Sequence, residues 1–355
     1  MPRPLLVSMF LLLAGSAAAQ TPVLDTARWL AGLQLDSDSP VGRAQFDTNA
    51  AWEALRVSRL APMKGFAEQH FPVERAGCDT LFYPFGGPDI VNALSFFPGC
   101  RRYILFGLEH VGELPQLERL SVQQKELVLA DMHRAQQTIV KRNFFVTQYL
   151  SSDLNTPHLK GVLPLMSAML VRMGYVVLDI ELANLDGSTP VAAGTRPRAV
   201  RIHFQGQGEG PVQELVFASF DASDEALARN PAFLAFMAPI QPTVTLIKAA
   251  SYLLHDKSFR RMRDLVEEKT SLLVQDDTGL PYAELLADGF EVELYGNYVD
   301  TIPVFQYRFQ KDLAWAYRAQ PVHTVLPFAW SYAGRRAEAA LQVARKRAQA
   351  AGSTT

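Results

Sequence analysis

Three short turns carry the residues best suited to chemistry. Phe85-Gly86-Gly87-Pro88-Asp89 joins the end of a buried strand to a helix start, where backbone N–H groups and the helix dipole favour an anion or a carboxylate. About twenty residues on, a second strand ends in Gly107-Leu108-Glu109-His110, and an acidic residue there is placed like the ribose-binding carboxylate of dinucleotide folds. In Gln275-Asp276-Asp277-Thr278-Gly279-Leu280-Pro281, two adjacent carboxylates can bind a divalent cation or divide the work of acid and base. Side chains alternate along a strand, so both reach one site only if the chain turns between them. Each turn also has a plain structural reading: Asp89 caps a helix, and Asp277 with Gly279 is ordinary turn chemistry.

Other signals are weaker. Gly-x-Gly-x-x-Gly is absent and Pro88 removes one amide, which argues against a nucleotide cofactor. Gly206-Gln-Gly208-Glu-Gly210 leads into another strand and reads as a hairpin loop. The seven histidines are scattered, with no zinc-binding His pair and no Gly-x-Ser-x-Gly elbow, so neither metal nor serine chemistry is assigned. Between Phe290 and Tyr332, 11 of 43 residues are aromatic, including Tyr295, Tyr298, Trp315, Tyr317 and Trp330; exposed in a cleft, such rings could stack on a sugar, although helical spacing, as in Phe305 and Phe309, favours core packing.

These turns need a scaffold, and the sequence supplies one. The 355 residues are 48% hydrophobic and 20% charged, with 34 Lys+Arg against 36 Asp+Glu, which excludes a disordered chain and a generally basic nucleic-acid binder. Arg3, the apolar run Leu5 to Ala14 and Ala17-Ala18-Ala19 read as a signal peptide over residues 1–19, so the chain is expected to be periplasmic or secreted. The next longest apolar run, Val162 to Val171, is too short to span a bilayer and is read as a core helix.

Thr80 to Pro84, Ile90 to Phe97 and Tyr103 to Leu108 form a β-α-β unit, and Tyr175 to Leu182, Ala199 to Gln205 and Gln213 to Phe220 form an antiparallel meander. Adjacent parallel strands would place Cys78 and Cys100 at one sheet edge, and export would allow them to pair; a Cys78–Cys100 disulfide is expected. A helix is expected from Thr156-Pro157 to about Met173, others over Pro242 to His255 and Val304 to Arg318, and strands over Ser271 to Gln275 and Phe290 to Tyr295. The expected organisation is a helical wrap over residues 20–77, an α/β domain with one mixed sheet over 78–333, and a basic, Ala-rich helix or tail over 334–355.

The run Leu81 to Asp89, with Phe97-Pro98, Gly107-Leu-Glu109, Gln275-Asp-Asp277-x-Gly-x-Pro281 and Tyr295-Gly-x-Tyr298, resembles a family of uncharacterised exported bacterial proteins. Its relatives favour Ser where this chain has Gly86, and the resemblance implies no established activity, cofactor or protein partner. Ligands in α/β sheets gather beyond the strands' carboxyl ends. The sequence therefore points to a small polar ligand or glycan, bound in a cleft with Gly86, Gly87, Asp89, Glu109, Asp276, Asp277, Tyr295 and Tyr298 near its mouth. The competing reading is an envelope hydrolase with Asp276, Asp277 or Glu109 as general base, assisted by His110 or a metal.

Overall fold

The computed structural model describes residues 17–33, 40–208, 210–241, 243–321, 324–332 and 336–346. The signal peptide read over 1–19 lies outside the described residues as far as Ser16, and Ala17 to Ala19 open the helix Ala17–Leu30. Residues 347–355 of the tail are likewise outside them.

The chain is α/β, with helices packed on a nine-stranded mixed sheet. In chain order the strands are β1 (Thr80–Tyr83), β2 (Arg102–Gly107), β3 (Tyr175–Ala183), β4 (Ala199–Gly206), β5 (Val212–Ser219), β6 (Thr243–Ile247), β7 (Thr270–Gln275), β8 (Phe290–Gly296) and β9 (Ala340–Lys346). Their order across the sheet is β3-β4-β5-β2-β1-β6-β7-β9-β8. β5, β2, β1, β6 and β7 form a parallel centre, β3-β4-β5 is the expected meander, and β9 runs antiparallel to both neighbours. The carboxyl ends of the five central strands therefore share one edge of the sheet, and β8, running with β7, ends there too.

Alternation along the strands sorts the core into two layers. Leu81, Tyr83, Tyr103, Leu105, Leu246 and Val274 point into one, which the helices Ala61–His70, Ile90–Phe96 and Leu163–Arg172 cover. Phe82, Ile104, Phe106, Ile247 and Leu273 point into the other, against Leu227, Phe233, Met262 and Leu285. Register Thr80↔Arg102 sets Cys78 beside Cys100, and the two form the expected disulfide with Cα atoms 4.6 Å apart. Among the described residues no helix is long and apolar enough to cross a membrane.

Four expected elements are corrected. The helix over Pro242 to His255 is instead β6, followed by a turn and a short 3-10 helix, Leu253–His255. The helix from Thr156 begins only at Leu163, after a separate helix Thr147–Asp153. Val304 to Arg318 divides into a 3-10 stretch, Pro303–Arg308, and the helix Lys311–Ala319. The Ala-rich C-terminal helix is in fact β9, threaded between β7 and β8. Ladders on both sides and burial of Leu341, Val343 and Ala344 outweigh the alanines' helix preference there.

Val343 faces Val274 on one side and Glu293 on the other. Val343→Pro removes a ladder donor from an interior strand and is expected to cost more than about 3 kcal/mol. Urea unfolding checks this; an unchanged midpoint would contradict β9's interior position.

Candidate functional site

Beneath the shared strand edge lies a buried ionic cluster. The turn after β1 carries Asp89, which caps the helix Ile90–Phe96 by accepting from the Asn92 backbone N–H at 3.2 Å. Its other oxygen accepts from Tyr83 Oη at 2.9 Å and Asn92 Nδ2 at 2.6 Å and lies 3.3 Å from Lys248 Nζ. Asp89 and Lys248 are each only 2% exposed. Lys248, the first residue after β6, also donates to the Asn143 carbonyl and lies 5.5 Å from the centre of the Trp330 ring. Burial pulls its pKa down, against the attraction of Asp89. A Cβ at residue 86 would stand 2.6 Å from the Tyr83 ring, so Gly86 lets that ring lie against the turn that holds Asp89.

The next residue extends the cluster to β7. The Ala249 N–H donates to Asp276 Oδ2 at 2.7 Å, while Asp276 Oδ1 accepts from the Thr278 N–H at 2.8 Å and its hydroxyl at 2.5 Å. Asp89 and Asp276 are thus drawn together by neighbouring residues of one turn. Asp276 is fully buried, which raises its pKa despite these donors. Asp277 takes the other direction: it accepts a short hydrogen bond from Tyr252 Oη and lines an open cleft. Burial and the Asp276 charge push its carboxyl up to about 7.

Two clefts adjoin above this layer and share Ile302 and Tyr332. The smaller, about 240 Å³, is walled by Tyr252, Tyr298, Trp330 and Tyr332, with Asp277 and Asp300. Trp330 Nε1 and Thr301 Oγ1, buried polar atoms of its lining residues, have no hydrogen-bond partner among the described residues. The larger, about 520 Å³, is mostly apolar, with Phe85, Phe106, Phe144, Phe220, Phe259 and Phe305 on its walls.

Backbone strain gathers around these clefts. Six non-glycine residues among those described have positive φ; Phe85 (61°), Ala249 (50°), Ser251 (52°), Tyr252 (54°) and Ser331 (58°) all line one cleft or the other. The sixth, Asn143 (66°), supplies the carbonyl that holds Lys248. Such conformations cost on the order of 1 kcal/mol or more each and cluster at functional sites.

The expected site residues divide among three environments. Asp277 and Tyr298 line the smaller cleft, where Tyr298 stacks on Phe309 and its hydroxyl accepts from the Gln310 N–H at 3.1 Å. Gly86, Asp89 and Asp276 lie beneath the clefts, not at their mouth, because their bonds hold strand-end turns together. Glu109 is also buried, against Gly87 and Gly107; burial raises its pKa and its Oε2 has no partner among the described residues. His110 is exposed, with its pKa lowered by partial burial of the ring and by Arg196 and Arg198, and it lines neither cleft. Tyr295 is corrected outright: it packs edge-on to Phe66, and its hydroxyl meets Glu293 at 2.5 Å and His70 at 3.1 Å, outside the clefts.

Lys248, Ser251 and Tyr252 are site residues that the sequence reading does not find. The alternating β-branched run Thr243 to Ile247 could have marked β6 and placed Lys248 at a strand's carboxyl end. Among the described residues no group of three or more His, Cys, Asp or Glu side chains is arranged to hold a metal. No protein-family model matches the chain, and comparison with curated proteins and solved structures finds no significant match.

Lys248→Met would leave Asp89 buried without its cation and is expected to cost about 3–5 kcal/mol, with part recovered in a Lys248→Met/Asp89→Asn double variant. Urea titration of the four proteins measures the coupling; additive effects would refute the pairing. The sign of the Asp277 effect is separate. Its folded pKa of about 7 lies above the unfolded value near 4, so its stabilising contribution is full below about pH 4 and is lost as pH rises through 7. Asp277→Asn is therefore expected to flatten the stability profile over that window and to be more stable than the parent at pH 8, as followed by thermal unfolding.

Proposed function

We propose that the protein is exported to the periplasm or beyond and binds a small hydroxylated ligand, a sugar or another polyol, in the smaller cleft. One observation carries the reading: left-handed backbone at Tyr252 and Ser331 falls on the walls of a cavity whose lining also brings together Tyr298, Tyr332 and the carboxylates Asp277 and Asp300. Left-handed residues persist only where their surroundings over-determine them, and they cluster at functional sites. A hydroxylated ring suits the remaining walls. Its hydroxyls donate to Asp277 and Asp300, while its apolar faces lie on the tyrosine rings. The disulfide and the Arg3 to Ala19 leader support export, and the paired turns Tyr83 to Asp89 and Gln275 to Pro281 support membership of the uncharacterised exported family that they resemble.

A second reading rests on Asp277 itself. A carboxyl that titrates near neutrality beside a phenol is suited to general acid-base work, so a glycoside hydrolase activity is the alternative.

Calorimetry of the purified protein against a panel of monosaccharides and disaccharides tests both readings. At pH 8, where Asp277 is mostly ionised, binding by the parent is expected to weaken at least about tenfold in Asp277→Asn, from the loss of a charged hydrogen bond. Chromogenic glycosides separate the readings: turnover that falls in Asp277→Asn and inflects near pH 7 identifies the hydrolase, and binding without turnover identifies the binding protein. Absence of binding by the parent, or undiminished binding by the variant, would overturn the cleft assignment.

A further inference from the structure

The larger cleft is not needed by a small sugar, yet it opens from the same edge and shares two wall residues with the smaller one. We propose that the ligand is an amphiphile, with its hydroxylated head in the smaller cleft and an alkyl chain or apolar ring in the larger. This rests on the reading of the smaller cleft given above.

The two compartments have opposite chemistry. Head-side polar residues include Asp277, Asp300 and Thr301, whereas the other side is built from phenylalanine rings after β1 and β5, from Phe106 in β2, from Phe259 and from the segments around Phe144 and Phe305. Ile302 and Tyr332 stand between them, and Ser251 Oγ lies 3.3 Å from Tyr332 Oη at the junction. A space of about 520 Å³ with mostly apolar walls suits the apolar body of a small molecule. Among the described residues neither cleft is lined by Lys, Arg or His, and both carry carboxylates, Asp277, Asp300 and Glu338 in one and Asp221 in the other. These carboxylates repel an anionic head such as a fatty acid's carboxylate or a phosphate, and the head proposed is a neutral hydroxylated one, as in an alkyl or aryl glycoside.

Methyl, butyl and hexyl glucosides, titrated by calorimetry below their micelle-forming concentrations, test the proposal. Kd is expected to fall about fourfold per methylene, the equivalent of about 0.8 kcal/mol for each buried CH₂. Val304 lines the larger cleft and is 67% exposed, so Val304→Asp places a charge there without burying it. That variant is expected to lose the gain from chain length and to bind methyl glucoside as the parent does. If affinity is flat from methyl to hexyl, the amphiphile is overturned and the smaller cleft stands. Should hexanol bind as tightly as hexyl glucoside, with Asp277→Asn changing neither, the reading of the smaller cleft falls and this proposal with it. No binding at any chain length overturns both.

Discussion

The ion pair between Lys248 and Asp89 is the constraint on which the site depends. Removing both charges from water costs several kcal/mol per ion, and only close, well-satisfied partners offset that cost. Lys248 has such a set in Asp89, the Asn143 carbonyl and the face of Trp330; Asp89 has Tyr83, Asn92 and Lys248. These partners come from several distant parts of the chain. Satisfying one buried ammonium therefore fixes the turn after β1, the turn after β6, the segment at Asn143 and the loop at Trp330 relative to one another.

The fixed turns explain where strain can be held. Lys248 faces inward and Ala249 gives its N–H to Asp276, so the chain leaving β6 is held at two successive residues. It then turns through left-handed Ala249, Ser251 and Tyr252, and Tyr252 reaches Asp277. In a loosely held loop these residues would relax into the ordinary right-handed or extended regions. Here Asp276, Thr278 and Asp277 each grip the turn, Thr278 Oγ1 by accepting from the Ala250 N–H at 2.7 Å. Rigid turns that set aromatic and polar groups at strand ends are what a preorganised binding site requires.

Much of the scaffold was legible in the sequence, and the failures have definite causes. The β-α-β unit and the Cys78–Cys100 bridge could be read because both depend on local order: two apolar strands, a short helix, and cysteines at matching offsets. The meander was legible from alternation and short connections. β9 was not, since Ala337, Ala339, Ala340 and Ala344 favour a helix when read locally; only the paired edges of β7 and β8 make residues 340–346 a strand. β6 was hidden by its continuation into an apolar, helix-like stretch, and with it went Lys248 and Tyr252. The acidic turns were found by their residue types, but sequence could not say which carboxylates the fold would consume internally.

That distinction is sharpest at Asp276 and Asp277. Neighbours in a chain leaving a strand point to opposite sides, and the turn at Thr278 does not bring them to a common point. Asp276 goes inward to backbone donors, where its bonds close the gap between β6 and β7. Asp277 goes outward to Tyr252 and the cleft, beside the charge of its neighbour. The structural carboxylate thereby tunes the accessible one: half-buried and with Asp276 next to it, Asp277 holds its proton up to neutral pH. Asp89 is instead clamped by Lys248, and Glu109 is closed in against Gly87 and Gly107. Of Asp89, Glu109, Asp276 and Asp277, only Asp277 lines one of the two clefts, where burial and the Asp276 charge push its carboxyl up to about 7.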